Sequence, residues 1–221
     1  MPFKPANDLR NNIASWAVQP CAIPAVVARM LDQLPTEDFD PSFGGQYLQT
    51  TYFDTFGQDL RKARIPKQRY LTLRIRAYTP SCPAGGKYPD PVYALSAKTE
   101  DKKFRVEVPQ STAEALLKNA DVELFGNVLS PELFARLLEL LPADATLLPS
   151  VTCTAQRYAV EDNSNRFTLD INVATDTGKK LVFNVLEFKS ADPQTPPPPA
   201  LPGMRPIKIS KFLWATSPDG R

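Results

Sequence analysis

The chain has 221 residues, is 43% hydrophobic and 23% charged, and carries 26 Lys and Arg against 24 Asp and Glu, a net charge of +2. That is a globular composition with enough length for a sizeable core, and its charge gives no global reason to expect nucleic-acid or membrane binding. The absence of histidine excludes Ser-His and Cys-His triads, His-ligated zinc and a histidine base.

In chain order, the opening "MPFKPANDLRNN" is polar and has no apolar h-region, so no secretory signal is expected. "PCAIPAVVARMLDQL", from Pro20, predicts a helix with Ile23, Val26, Val27, Met30, Leu31 and Leu34 at helical spacing and Pro24 in the first turn. Alternating runs rich in Val, Thr, Tyr and Phe predict strands over 46–54, 69–78, 91–99 and 103–108. Between them, 80–91 ("PSCPAGGKYPDP") reads as a loop whose Gly-Gly is too short for a phosphate loop. "QSTAEALLKN" predicts a helix capped by Ser111 or Thr112, and "SPELFARLLELL" predicts another with Ser130 as cap and Pro131 at its first position. Strands over 149–160, 165–174 and 180–189 form a meander joined by turns at 161–165 and 176–180. The proline-rich stretch 192–203 reads as a stiff surface connection, and a last strand is expected over 206–214. No apolar run approaches ~20 residues, so no transmembrane segment is expected. Cys21, Cys82 and Cys153 lack metal-ligand spacing and read as reduced thiols of a cytoplasmic protein. The fold class is mainly β.

The strands segregate their charge. Arg74 and Arg76 alternate with Leu71, Leu73, Ile75 and Ala77; Arg105 and Glu107 with Phe104, Val106 and Val108; Arg166, Thr168, Asp170 and Asn172 with Phe167, Leu169, Ile171 and Val173. Lys98, Arg157, Glu187 and Lys189 hold comparable positions, and "KISK" adds Lys208 and Lys211. An open sheet with one wet face explains this parity. A closed barrel would instead turn the polar face into its lumen. Nine cations would then meet Glu107, Asp170 and Glu187, an excess that a bound polyanion would relieve.

The ordered motifs "TTYFDT", "LTLRIRAY", "YALSAKTEDKKFRVEV", "PSVTCTAQRYAV", "NRFTLDINV", "VLEFK" and "KISKF" resemble the VTC domain of polyphosphate polymerases, within the triphosphate-tunnel (CYTH-like) superfamily. The resemblance covers about 46–214 and implies a single tunnel domain over 1–221, an eight-stranded antiparallel barrel with a few flanking helices. It implies a basic lumen that takes ATP as substrate and polyphosphate or another polyphosphorylated anion, with Mn2+ or Mg2+ as cofactor. Arg74, Arg76, Arg157, Arg166 and Lys211 would be catalytic, Lys98, Arg105 and Lys208 would join them in binding phosphate, and Glu187 would hold the metal; strand parity adds Lys189 to the phosphate contacts and Asp170 as the other carboxylate that could hold the metal. The implied activity is a phosphotransferase that moves the terminal phosphoryl of ATP onto polyphosphate, with a membrane-protein partner left open as acceptor of the product. The first-strand Glu-x-Lys pattern is missing: "NNIASWAV" has Ile13, Ser15 and Trp16 in its place. That departure leaves two alternatives open, a non-catalytic module binding polyphosphate, nucleotide or inositol phosphate, and a tunnel triphosphatase.

Overall fold

The computed structural model describes residues 11–33, 45–80, 90–161 and 164–217. Nine strands make one antiparallel sheet: β1 (Asn11–Val18), β2 (Gln46–Thr55), β3 (Thr72–Pro80), β4 (Val92–Lys98), β5 (Lys103–Val108), β6 (Leu147–Glu161), β7 (Asn165–Thr175), β8 (Asn184–Ser190) and β9 (Met204–Pro206), in the order β5-β4-β3-β2-β6-β7-β8-β1-β9. The mainly β architecture agrees with the sequence. The expected eight strands become nine, and β5 and β9 stand at the edges, so no hydrogen-bonded ladder closes the barrel among the described residues.

Strand alternation decides which side chains the sheet hides. On β2–β5, Phe53, Leu73, Ile75, Leu95 and Ala97 point to one face and pack under α3 (Gln110–Asn119), α4 (Val122–Gly126) and α5 (Pro131–Leu140) through Leu116, Phe125, Leu133 and Leu137. Phe53 meets Phe125 edge-on with ring centroids 5.0 Å apart. On the other half, Trp16, Val18, Val160, Phe167, Leu169, Leu186 and Phe188 pack under Val26 and Met30 of α1 (Ile23–Gln33). Both apolar layers lie on the same side of the sheet, opposite to Arg74, Arg76, Arg157, Arg166, Asp170, Glu187 and Lys189.

The sheet curls around that polar face. In a flat sheet, β4 and β8 would stand five strand spacings apart, about 24 Å. Yet Lys98 on β4 lies in the field of Glu187 on β8, and Lys189 on β8 in the field of Arg74 on β3. The polar face is therefore concave, and the open solvated sheet is the wrong alternative.

Several local expectations need correction. The segment 206–214 is not a strand: β9 ends at Pro206, and α6 (Lys211–Thr216) follows, capped by the Ser210 hydroxyl, which accepts the Leu213 N–H at 3.4 Å. The strand expected from 180 begins at Asn184, because Val182 is fully out in solvent and only Lys180 bridges to Ala174. Pro109, not Ser111 or Thr112, occupies the cap position of α3. By contrast, Ser130 and Pro131 start α5 as expected. Alternation did not mark β1, although the tunnel resemblance placed its first strand at "NNIASWAV", where β1 lies; α4 and α2 (Asp59–Arg64) were not expected. The aspartate of "TTYFDT" explains α2: Asp54 is wholly buried and accepts the N–H groups of Thr55, Leu60 and Arg61 at 2.8, 2.9 and 3.0 Å. It satisfies donors that a helix start otherwise leaves orphaned. The proline-rich stretch stays irregular, laying Pro198, Pro199 and Leu201 along α1, and it enters β9 through Gly203, whose φ of +82° suits glycine. Leu34, Cys82, most of the 80–91 loop and the tip of the 161–165 turn lie outside the described residues.

Candidate functional site

Pairing register assembles the concave face strand by strand. Arg74 stands opposite Tyr52 on β2 and Ser96 on β4; Arg76 opposite Thr50 and Ala94; Tyr78 opposite Leu48. Arg105 stands opposite Ser96, so three arginines of β3 and β5 share one patch. Arg76 donates through Nε to the Thr50 hydroxyl at 2.8 Å and lies 3.4 Å from the Tyr78 hydroxyl. The Arg105 guanidinium sits 5.0 Å from the Tyr78 ring centre.

These cations repel one another. Burial, then Arg76, lowers the pKa of Arg74. Burial lowers Arg105 to about 10, with Arg76, Arg166 and Arg74 adding to the effect and Tyr78 opposing it. Burial opposes ionisation of Tyr78, but Arg76, Arg105 and Arg157 override it and bring the phenol down to about 8. Tyr78 thus belongs to the patch, as do Thr50 and Tyr52, and none was singled out from sequence. The signal was available for Tyr78, which follows Arg76 by two residues on the same strand and so shares its face.

The second half of the face is an ion-pair cluster. Arg157 grips both oxygens of Asp170 at 2.6 and 2.7 Å across the β6–β7 ladder, and Lys211 from α6 contacts the same carboxylate. Burial works against ionisation of Asp170, yet Arg157 and Lys211 hold its carboxyl far below the usual range. Burial likewise opposes Glu187, and Lys211 and Lys189 bring it down to about 2. Lys189 lies 3.9 Å from Glu187, and its own burial, with Arg157, Arg166 and Arg74, lowers it to about 8. Arg166 pairs with Glu161 at 3.5 Å. Partial burial, then Arg64 and Arg74, lowers Lys98, which stays exposed at the rim.

The structure thus gathers Arg74, Arg76, Lys98, Arg105, Arg157, Arg166, Lys189, Lys211, Asp170 and Glu187 on one concave surface. Lys208 is exposed on the segment between β9 and α6. Glu107 is exposed on the edge strand β5. Asn172 leaves the polar face: its φ of +54° breaks the alternation, so it is exposed while Val173 turns inward to Phe212 and Trp214 of α6. Those two rings also cover Tyr52, Val151 and Cys153, with Phe212 5.2 Å from Tyr52, so α6 fills one end of the concavity. Cys21 and Cys153 are free thiols, and burial pushes Cys153 up to about 11, which makes it inert.

The donor set does not fit a divalent metal held by the protein. Asp170 has both oxygens committed to Arg157 and Lys211, and Glu187 faces Lys211 and Lys189. Among the described residues, no three acidic or cysteine side chains gather as a metal cluster.

No protein-family model matches the chain. No curated protein matches it by sequence. Among solved structures, it is similar to a candidate adenylate cyclase from Bacillus halodurans, at 16% identity over 83% of this chain and 82% of the other, with a TM-score of 0.53. Weaker likenesses are to a Hippeastrum protein, a candidate adenylyl cyclase with dominant triphosphatase activity (14% identity, 82% and 80% coverage, TM-score 0.48), and to an inorganic triphosphatase (14%, 78% and 86%, 0.34). At 16% identity the Bacillus halodurans likeness shows a shared fold alone and does not single out the VTC domain. No described helix is long and apolar enough to cross a membrane.

Proposed function

We propose that the concave face binds the triphosphate of a nucleotide, or inorganic tripolyphosphate, and promotes hydrolysis of its terminal phosphoanhydride. The observation that carries this reading is the mutual repulsion of Arg74, Arg76 and Arg105, brought together from β3 and β5. A bound phosphate chain relieves it, and guanidinium groups suit bidentate phosphate contact. In this reading Arg74, Arg76 and Arg105 neutralise phosphate oxygens, Arg166 and Lys189 extend the path, and the curl of the sheet excludes bulk water. Water attacks the terminal phosphorus in line and the diphosphate leaves, a transfer that depends on positioning and charge neutralisation. The expected polyphosphate elongation fits less well, because Phe212 and Trp214 occupy one end of the concavity that a growing chain would need to pass. Binding without turnover is the second reading, favoured by β1, which lends the concave face Ser15 and Ala17 opposite Glu187 and Val185, with no acid or lysine.

One set of assays separates these readings. The full chain is incubated with ATP and with tripolyphosphate, and orthophosphate, ADP, polyphosphate and cyclic AMP are quantified beside calorimetric binding. Orthophosphate with ADP is expected. Polyphosphate or cyclic AMP would move the assignment to polymerase or cyclase, binding without product would make the chain a binding module, and absence of binding would sink the site.

The same face carries a pH dependence. Lys189 and Tyr78 both titrate at about 8, the first losing a positive charge and the second gaining a negative one. Both changes weaken an anion site, so affinity relative to that of Tyr78→Phe should fall as pH rises through about 8. Parallel profiles for the two proteins would show that Tyr78 does not sense the ligand.

A further inference from the structure

We propose that Lys211 takes the place of the divalent metal that the tunnel resemblance implies, so that this face binds a phosphate chain without a metal ion. The inference rests on the triphosphate-binding reading above. Asp170 pairs with Val185, two residues before Glu187 on the same strand, so the two carboxylates are diagonal neighbours on one face. Two carboxylates so placed could serve a hard cation together with phosphate oxygens. Here the cations are supplied by the chain: Lys211 contacts Asp170, and Lys189 lies 3.9 Å from Glu187.

The placement of Lys211 runs against helix electrostatics. It is the first residue of α6, where the helix dipole disfavours a positive charge. The Ser210 cap and the packing of Phe212 and Trp214 hold it there nonetheless. Arg157, Lys189 and Lys211 already outnumber Asp170 and Glu187, so an added divalent ion would enter a cluster of net positive charge. A phosphate chain meets the opposite situation, because the carboxylates are neutralised before it arrives.

The test is calorimetric titration of tripolyphosphate into the full chain, once with EDTA and once with millimolar Mn2+. Wild type is expected to bind in EDTA with an affinity within about threefold of that in Mn2+. Lys211→Met is expected to lose about tenfold or more in EDTA and to regain affinity when Mn2+ enters the vacated position. Lys211→Arg should keep the metal-free binding, and far-UV circular dichroism checks that each variant is folded. Wild-type binding only with Mn2+ overturns the inference and leaves the triphosphate reading standing. Binding under neither condition overturns both. Undiminished metal-free binding by a folded Lys211→Met removes the role given to Lys211. Should that variant not fold, the wild-type comparison decides alone.

Discussion

Asp170→Asn is expected to cost about 3–5 kcal/mol of stability, a fall in melting temperature of roughly 6–20 °C for a chain of this length. Asp170 is 2% exposed, and its carboxylate accepts from Arg157 through two charge-assisted bonds and from Lys211. Asparagine keeps the shape and one acceptor but removes the charge, leaving a guanidinium and an ammonium on a face that already holds Arg74, Arg76 and Arg105. The sign with pH follows from the depressed carboxyl. Its contribution is complete above the ordinary aspartate value of 3.8 and is lost as pH falls below it, so wild type and variant should converge in acid. Glu161→Gln is the control: its 3.5 Å partnership with Arg166 is partly solvated, and its loss should cost under about 1 kcal/mol. Thermal melts of the two variants decide, and a loss below about 1 kcal/mol for Asp170→Asn would mean that the cluster is hydrated in solution.

Strand parity made much of this legible. Alternation on β3 and β7 put Leu73, Ile75, Phe167 and Leu169 on the core side and Arg74, Arg76, Arg166 and Asp170 on the other, as found. Parity reports which face a side chain takes, but not which strand lies beside it. That is why Asp170 read as a metal ligand: its pairing with Arg157 depends on the β6–β7 register, which a bulge near Ala155 shifts. The left-handed turn at Asn172 similarly reversed the alternation where the pattern looked regular. "KISKFLWAT" failed for another reason. A short apolar run has no decisive period, and the helix is chosen by the Ser210 cap and by the burial of Phe212 and Trp214 against Tyr52 and Val151. β1 carried little signal because its concave side offers Ser15 and Ala17 in place of charge.

Arg76→Ala should reduce affinity for tripolyphosphate by about 10- to 150-fold, the range of a lost hydrogen bond to a charged group. Nε of Arg76 is fixed on the Thr50 hydroxyl at 2.8 Å, which orients the guanidinium before any ligand arrives. Burial and proximity to Arg76 disfavour the charged forms of Arg74 and Arg105, so removing Arg76 relieves its neighbours in the ligand-free protein. Against that relief stands the buried Thr50 hydroxyl, which loses its partner, a cost of about 1–3 kcal/mol if nothing replaces it. Alanine therefore mixes the two effects. Arg76→Ala combined with Thr50→Val removes the hydroxyl with the guanidinium and isolates the repulsion. The double variant is expected to melt at or above wild type while binding tripolyphosphate more weakly. Arg76→Lys restores charge without the planar fork and should recover only part of the affinity. A single signature separates a ligand site from a structural arginine: stability and affinity move in opposite directions. If the double variant loses stability while its affinity is unchanged, Arg76 is a structural arginine and the phosphate path runs elsewhere on the face.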